Sequence, residues 1–387
     1  MKPKTLSIVT SEQCNHRCNF CAMRYKDWSS YSDKMSWDTF LSALYGADRL
    51  GCDFLHLHGI GEMYMNPLAS EMIKEAAGRG HRLWIFTNAI LMTLADIQVL
   101  ARTPNIWRIT ISLYGYDKDS YIAQTGRDNF QKAYRNIYDL LDILSRSGAM
   151  KSSASTTITI NVPKTRIMME RQQAVEAVWG SMIKRFNEKK NTLRKGVYGT
   201  YFRSSGGARL EWFELDDNPD GRLHLEKENE GVVFHGFGCG EQHGCSRIAW
   251  DCQIFPNGDV SYCCGNMDHE GIIGNINQSP LSECWGSRLA NDFRTLFANG
   301  YKQYVPLCNH CAMVPGSNSL FGSEGEASLE ISDDEYLSRY LLSEGEVSEG
   351  KRAAALEGAR RYWRVRKVEW CSSRVQRVPE RLLSLTG

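Results

Sequence analysis

The sequence lacks a dominant charge. It has 46 Lys and Arg against 45 Asp and Glu, a formal net charge of +1, so bulk electrostatics draw it neither to nucleic acid nor to a membrane surface. It has no apolar run of the ~18 residues a membrane span needs. The opening Met1-Lys-Pro-Lys-Thr5 carries no secretory signal pattern and leads straight into a strand-like run. The expectation is a cytoplasmic protein without a membrane partner. A hydrophobic content of 42% excludes general disorder, and 387 residues suggest two to three folded units. Between Cys52 and Cys239 cysteine is missing altogether, although the chain holds 13. In a reducing compartment these are not disulfides, and clustering on either side of a gap favours metal.

The first cluster is Cys14-Asn-His-Arg-Cys18-Asn-Phe-Cys21, directly after the apolar run Leu6–Thr10. Three thiolates on one short loop can hold three corners of a cubane iron–sulfur cluster and leave one iron open to an exogenous ligand. A structural zinc site would need a fourth protein ligand. His16 could supply one in principle, but the loop between Cys14 and Cys18 is too short to wrap both easily around one tetrahedral ion.

From residue 5 to about residue 203 strand-like and helix-like runs alternate. The strand candidates are Leu6–Thr10, Phe54–His58, Leu83–Thr87, Trp107–Leu113, Thr156–Val162 and Val197–Phe202. Ser36 and Asp128 mark helix starts. Six β–α alternations imply a parallel sheet with outer helices, and such sheets bind ligands beyond the carboxyl ends of their strands. The cysteine loop follows the first strand, so it lies at that end.

The C-x3-C-x2-C spacing with aromatic Phe20 before its last cysteine resembles the radical S-adenosylmethionine (SAM) superfamily. The resemblance implies an α/β fold, a partial (β/α)6 TIM-like barrel. It also implies a [4Fe–4S] cluster on Cys14, Cys18 and Cys21 whose open iron chelates SAM, and a flavodoxin- or ferredoxin-type electron donor. Further segments fall in the family's order. His58-Gly59-Ile-Gly61-Glu62 is similar to the Gly-x-Gly-Glu-Pro turn that binds the SAM amino group, with Met63 in place of proline. Thr87-Asn88-Ala89 is similar to Thr-Asn-Gly. Ser112 and Arg127 stand where relatives contact the SAM ribose or carboxylate. Strand five lacks the family's glycine-rich adenine pattern, and Ile160 and Asn161 are the substitutes expected there. The cofactor-binding set implied is Phe20, Gly59, Gly61, Glu62, Asn88, Ser112, Arg127 and Asn161.

The second cysteine set begins at Cys245. Cys252 to Tyr262 reads as a hairpin turning at Asn257-Gly258, so Cys245 before it and Cys263 after it reach one end. Cys308-Asn-His-Cys311 follows. These four thiolates suit zinc or a [4Fe–4S] cluster equally well by geometry. The arrangement resembles the twitch, or shortened SPASM, domain, where the site is an auxiliary [4Fe–4S] cluster on Cys245, Cys263, Cys308 and Cys311. The spacing closely resembles that of the radical SAM dehydrogenases typified by 2-deoxy-scyllo-inosamine dehydrogenase, which oxidises an aminocyclitol alcohol to a ketone. Cys239 or Cys252 remain alternatives to Cys245. Adjacent Cys263 and Cys264 point oppositely, so one of them is the ligand, and the family pattern selects Cys263. Cys52, Cys284 and Cys371 read as buried small hydrophobes.

The domain reading is a barrel over 1–203, a bridging segment over 204–244, a small α+β iron–sulfur domain over 245–314 and a helical C-terminal extension over 315–387. The basic, aromatic stretch Arg360–Lys367 reads as a solvated helix face rather than a nucleic-acid site. The resemblance implies radical hydrogen abstraction, and a closed auxiliary cluster can accept an electron. A two-electron oxidation of a small polar substrate, a sugar or aminocyclitol-like natural-product intermediate, is therefore expected. Arg203 and Glu211 are the candidates to assist proton loss, with Arg209 and Trp212 beside them. The alternatives are maturation of a ribosomally made peptide by thioether, carbon–carbon or epimer formation, or a redox-neutral epimerase, dehydratase or decarboxylase. A sequence that opens at strand one is not expected to carry the N-terminal peptide-binding domain common in such maturases, which lowers the peptide reading without excluding it. A non-catalytic zinc or electron-transfer protein is the reading furthest from these.

Overall fold

Strand side chains alternate between two faces, and burial follows that period. Leu55, Leu57, Leu83 and Ile85 are fully buried, while His56, Trp84 and Phe86 beside them are half-buried. The computed structural model describes residues 2–21, 34–52, 54–146, 156–189, 207–213, 247–267, 269–298 and 305–308. Within them the chain runs β1 Thr5–Val9, α1 Trp37–Leu50, β2 Phe54–His58, α2 Ala69–Gly78, β3 Arg82–Thr87, α3 Leu94–Arg102, β4 Ile106–Ser112, α4 Lys118–Thr125, α5 Phe130–Arg146 and β5 Thr157–Pro163. Short helices α6 Arg166–Glu170 and α7 Gln172–Val175, a π turn Glu176–Gly180 and α8 Ser181–Lys189 lead to β6 Gly207–Phe213. The six strands pair in sequence, all parallel. This is the partial (β/α)6 barrel expected.

Helix ends explain several boundaries. Ser36 caps α1 by accepting from the Thr39 N–H, and Gly51 closes it at φ +64°, where a Cβ would be strained. Asp117 and Ser120 form a capping box on α4. The helix start expected at Asp128 falls slightly later. The Ala133 N–H bonds to the Asn129 carbonyl, and the Asp128 carboxylate pairs with Lys118 at 2.8 Å instead.

The sixth strand differs from expectation. Val197–Phe202 lies outside the described residues, and the strand that pairs with β5 is Gly207–Phe213, inside the span read as bridging. Arg203 and the 315–387 extension, with Arg360–Lys367, also lie outside the described residues. Among the described residues no helix is long and apolar enough to cross a membrane.

The core lies between the sheet and its helices. Phe40 and Leu44 of α1, Met72 and Ile73 of α2, Leu100 of α3 and Ile137 and Leu140 of α5 pack on one strand face and are at most 1% exposed. Burying each such side chain stabilises by about 1.5–3 kcal/mol, which fixes the face each strand presents. A closed TIM barrel also fills its interior with branched apolar side chains. Here the opposite face carries His56, Trp84, Arg108, Thr110, Thr159 and Arg209, polar and aromatic where a second core would be branched and apolar.

Beyond β1 the sheet continues with β7 Asp251–Ile254, β8 Asp259–Ser261 and β9 Ile272–Asn275. β7 runs parallel to β1, with Ser7 opposite Gln253, and β8 and β9 return antiparallel. The expected hairpin is present, with Gly258 at φ +88°. The helix Leu281–Trp285 lies against α1 so closely that a Cβ on Gly46 would stand 2.5 Å from that of Leu281. The small domain is thus built onto the first β–α unit.

Candidate active site

The loop Cys14–Cys21 leaves β1 and is held on several sides. The last carbonyls of a helix have no partner inside it. In α4 those of Gln124 and Thr125 accept the N–H groups of Asn19 and Arg17 at 3.0 and 2.9 Å. The Asn88 side chain donates to Asn15 Oδ1 at 2.7 Å. Cys18 is buried, with Cys14 and Cys21 half-buried. Burial pushes the Cys14 thiol up to about 12, against a hydrogen bond from the His16 N–H that favours its ionised form. The Cys18 thiol is pushed up by burial and by its two neighbours. The His16 ring is engaged away from the cysteines, with Tyr121. Its Nε2 lies 3.2 Å from the Tyr121 hydroxyl, and burial, aided by Arg127, lowers its pKa to about 4.

The turn after β2 makes room for this loop. A Cβ on Gly61 would stand 2.0 Å from the Gln13 carbonyl oxygen, and one on Gly59 2.9 Å from that of Ser11. The Glu62 N–H donates to the Gln13 carbonyl at 2.8 Å. The glycines are therefore needed for backbone packing against the cysteine loop, where the sequence suggested approach to a ligand. Glu62 is 2% exposed. Its carboxylate accepts from the Thr87 hydroxyl at 2.6 Å, the Asn88 N–H at 2.6 Å and the Tyr64 N–H at 3.2 Å. Burial raises its pKa to about 7 against those three bonds. Glu62 fastens the β2 turn to the β3 turn. Ala89, where the family has glycine, sits at φ +64°.

Ser112 and Asn161 face each other across β4 and β5. Tyr114 packs edge-on against Phe20, with ring centroids 4.9 Å apart, and the two cover the Cys18 side of the loop. Phe20, Gly59, Gly61, Glu62, Asn88, Ser112 and Asn161 thus come together at the carboxyl ends of β1 to β5. Arg127 is exposed after α4, close enough to the cysteine loop for its charge to act on His16. Glu211 occupies the β6 register position opposite Asn161.

At the second set, Cys245 and Cys311 lie outside the described residues, as does Cys239. The Tyr262 hydroxyl, next to Cys263, donates to the carbonyl of Pro306, two residues before Cys308. The Gly265 N–H donates to Cys263 Sγ at 3.3 Å. Cys264 turns instead toward the Asp251 carboxylate, 3.3 Å away. Cys252 is fully buried on β7 opposite Leu6, so it is a core thiol, like buried Cys52 and Cys284.

The chemistry of the first loop fits an iron–sulfur group. Thiolate ligation requires three deprotonated sulfurs, which burial and mutual repulsion disfavour until cations are present. Among the described residues no three Cys, His, Asp or Glu side chains close on a single ion. A cubane makes no such demand, because each thiolate takes its own iron. Asn15 Nδ2 and Asn161 Oδ1 are buried without partners at the rim where a bound cofactor would supply them.

The profile of the radical SAM superfamily matches residues 8–171, and that of the SPASM iron-sulfur cluster-binding domain matches residues 245–312. The chain thus carries a radical SAM domain followed by a SPASM domain. As a radical SAM enzyme with a SPASM-type domain, it takes SAM, a SAM-binding [4Fe–4S] cluster and an auxiliary iron–sulfur cluster. It is similar in fold to BtrN in complex with AdoMet and 2-DOIA, with 13% identity and a TM-score of 0.50, over 82% of this chain and 98% of that one. It is similar to native anSMEcpe with bound AdoMet, with 13% identity and a TM-score of 0.51, over 95% of this chain and 99% of that one. A stretch of 99 residues is 31% identical to the tungsten-containing aldehyde ferredoxin oxidoreductase cofactor-modifying protein of Pyrococcus furiosus. That match spans 25% of this chain and 27% of the relative.

The sequence did not mark the polar and aromatic inner strand face of this radical SAM enzyme. Trp84 donates to the Thr110 hydroxyl at 2.8 Å, and Arg108 to that of Thr159 at 2.9 Å. His56 packs edge-on to Trp84 at 4.6 Å, and Trp84 stacks on Phe86 at 4.7 Å. Period-two alternation along β2 to β5 was the available signal. It separates core from lining once the helices are known to cover one face.

Proposed function

We propose that this enzyme is an oxidoreductase that removes two electrons from a small polar substrate held inside the barrel. The observation that carries the reading is the inner strand face. Hydroxyls, imidazoles and guanidinium groups stand where a closed barrel would be packed with branched apolar side chains. Bound SAM on the first cluster supplies a 5′-deoxyadenosyl radical for hydrogen abstraction. The chain's own residues then have two tasks. The Ser112–Asn161 rim, with Phe20, Asn88 and the backbone of Gly59 and Glu62, orients the cofactor, and Arg127 meets its carboxylate. The inner face holds one substrate C–H close to the reactive carbon, a positioning task. Glu211, level with Asn161 in register, takes the proton released in oxidation, with Arg203 as the second candidate for that task. Cys245, Cys263, Cys308 and Cys311 would hold the second cluster, which would supply an electron acceptor for the oxidation. The external reductant is a flavodoxin or ferredoxin.

The test is product analysis with deuterated candidate substrates. Deuterium transferred to 5′-deoxyadenosine, with a product lighter by two hydrogens, is expected. A product of unchanged hydrogen count would sink the oxidation and favour an epimerase or other rearrangement. A ribosomal peptide is the second reading, because the fold is also that of anSMEcpe, which has been solved with a Cp18Cys peptide. A cross-linked or epimerised peptide product would replace the first reading with this one.

A further inference from the structure

We propose that the surface where the cysteine loop, the end of α4 and the start of α6 meet is the docking site of the reductant, an acidic flavodoxin. This deepens the proposed function and rests on its reading of the first cluster as the one that takes an electron from outside. Electron transfer falls off steeply with distance, so a protein donor must dock where the cluster's own loop comes near solvent. The N–H groups of Arg17 and Asn19, on either side of Cys18, are held by the carbonyls of Thr125 and Gln124. The Asn19 side chain donates to the Ala123 carbonyl at 3.3 Å in an exposed bond. On the outer side of the same turn Ile122, Ala123, Gly126 and Arg127 are exposed. Among the described residues, one turn of helix thus stands between the cysteine loop and solvent on this side. Gln124 ties that turn to α6, its Nε2 donating to Thr165 Oγ1 at 2.6 Å.

The chemistry of this surface selects the partner. Residues 13–21, 122–127 and 163–169 hold four cations, Arg17, Arg127, Lys164 and Arg166, and no acid. Just outside, Asp128 pairs with Lys118 at 2.8 Å and Glu170 with Arg166 at 3.9 Å, and exposed Arg171 follows. Asp117 and Asp119 lie at the other end of α4. The whole chain is balanced at +1, so the excess is local, and local charge of one sign steers a partner of the other. Apolar surface sits within it, because Ile122 and Met169 are 36% and 44% exposed. An apolar centre in a polar rim is the anatomy of a protein interface, and it suits the apolar dimethylbenzene edge of a flavin. On docking, the reduced flavin gives up one electron and the first cluster gains it.

The test is calorimetric titration of anaerobic holoenzyme with oxidised flavodoxin, in which no electron moves and binding alone is read. Arg166→Glu should weaken binding about threefold and Arg166→Glu/Arg171→Glu about tenfold, the scale of exposed attractions turned to repulsions. Added salt should weaken wild-type binding as well. Arg17 and Arg127 stay wild type, since they adjoin the cofactor. Arg102→Glu, exposed at the far end of α3, should leave the affinity unchanged. Equal affinity in wild type and the double variant overturns the proposal. So does salt-independent binding, or tighter binding of a [2Fe–2S] ferredoxin than of the flavodoxin. Release of 5′-deoxyadenosine is followed separately, driven by flavodoxin or by dithionite, and the double variant should lose rate with flavodoxin alone. If the wild type releases none with dithionite, the proposed function falls while the titration stands.

Discussion

The two cysteine centres share one local device and differ in what surrounds it. At Cys14 and at Cys263 the N–H two residues on donates to the sulfur, at 3.5 and 3.3 Å. Beyond that, the first loop is shaped from a distance. The end of α4, Asn88 after β3 and Gly61 after β2 all close on it. What is described of the second centre is local, made by the turn after β8 and by the short segment that Tyr262 grips. A loop shaped by several separate elements is a point where distant changes act on the chemistry. A locally built centre should stand or fall by itself.

The largest effect tests that independence. Cys18→Ala should abolish 5′-deoxyadenosine formation and lower iron from about eight to about four per chain, leaving the auxiliary cluster's absorption in place. Cys263→Ala should do the reverse, losing the auxiliary cluster and the oxidised product while SAM cleavage continues. Anaerobic iron and sulfide analysis with product chromatography reads both, and loss of both clusters in either variant would end the contrast. Next comes Gly61→Ala, whose methyl would stand 2.0 Å from the Gln13 oxygen. Overpacking against backbone costs about 1–3 kcal/mol and displaces Cys14. A lowered Tm and impaired SAM cleavage are therefore expected together. Gly78→Ala, whose Cβ would meet nothing within 4 Å, should instead stabilise by about 0.5–1 kcal/mol. Normal SAM cleavage in Gly61→Ala would show that the first loop does not depend on that turn.

The same contrast explains what could be read from the chain. β2 was legible to the residue, and β1, β3, β4 and β5 to within one, because alternation is local. The hairpin was legible from Asn257-Gly258, and the unequal thiol sets from counting. β6 was not, since Gly206-Gly207 read as linker and pairing with β5 decides that Ala208 and Leu210 enter the core. Nor were the partners of Glu62, whose three donors come from two different turns. Arg108 and Arg209 meet Thr159 from 51 and 50 residues away, a proximity that only the sheet register creates.

The smallest effect concerns the place where the two regions touch. Glu12, two residues before Cys14 and 2% exposed, lies 2.8 Å from His269 Nε2, and Asp259 lies 3.1 Å from Nδ1. The ring stacks on Phe255 at 3.8 Å. Burial alone would lower the His269 pKa from 6.5, but hydrogen bonds to Asp259 and Glu12 and their charges outweigh it, and the net shift is upward. A raised histidine pKa gives stability that is fully present below pH 6.5 and lost as pH rises through the folded value. Burial likewise opposes, but hydrogen bonds from His269, Asn275 and Asn257 outweigh, the shift of Asp259, which lies below 3.8. Its contribution is present above that pH and lost on acidification. The clamp is therefore strongest from about pH 4 to 6.5 and weakens as pH rises through the raised pKa of His269. His269→Gln should cost about 2 kcal/mol at pH 6, less than a fully buried pair because His269 and Asp259 are partly solvated. The gap to wild type in Tm should shrink as pH rises. A gap of constant size would mean that protonation of His269 plays no part, leaving the pairing of β1 with β7 to join the two centres.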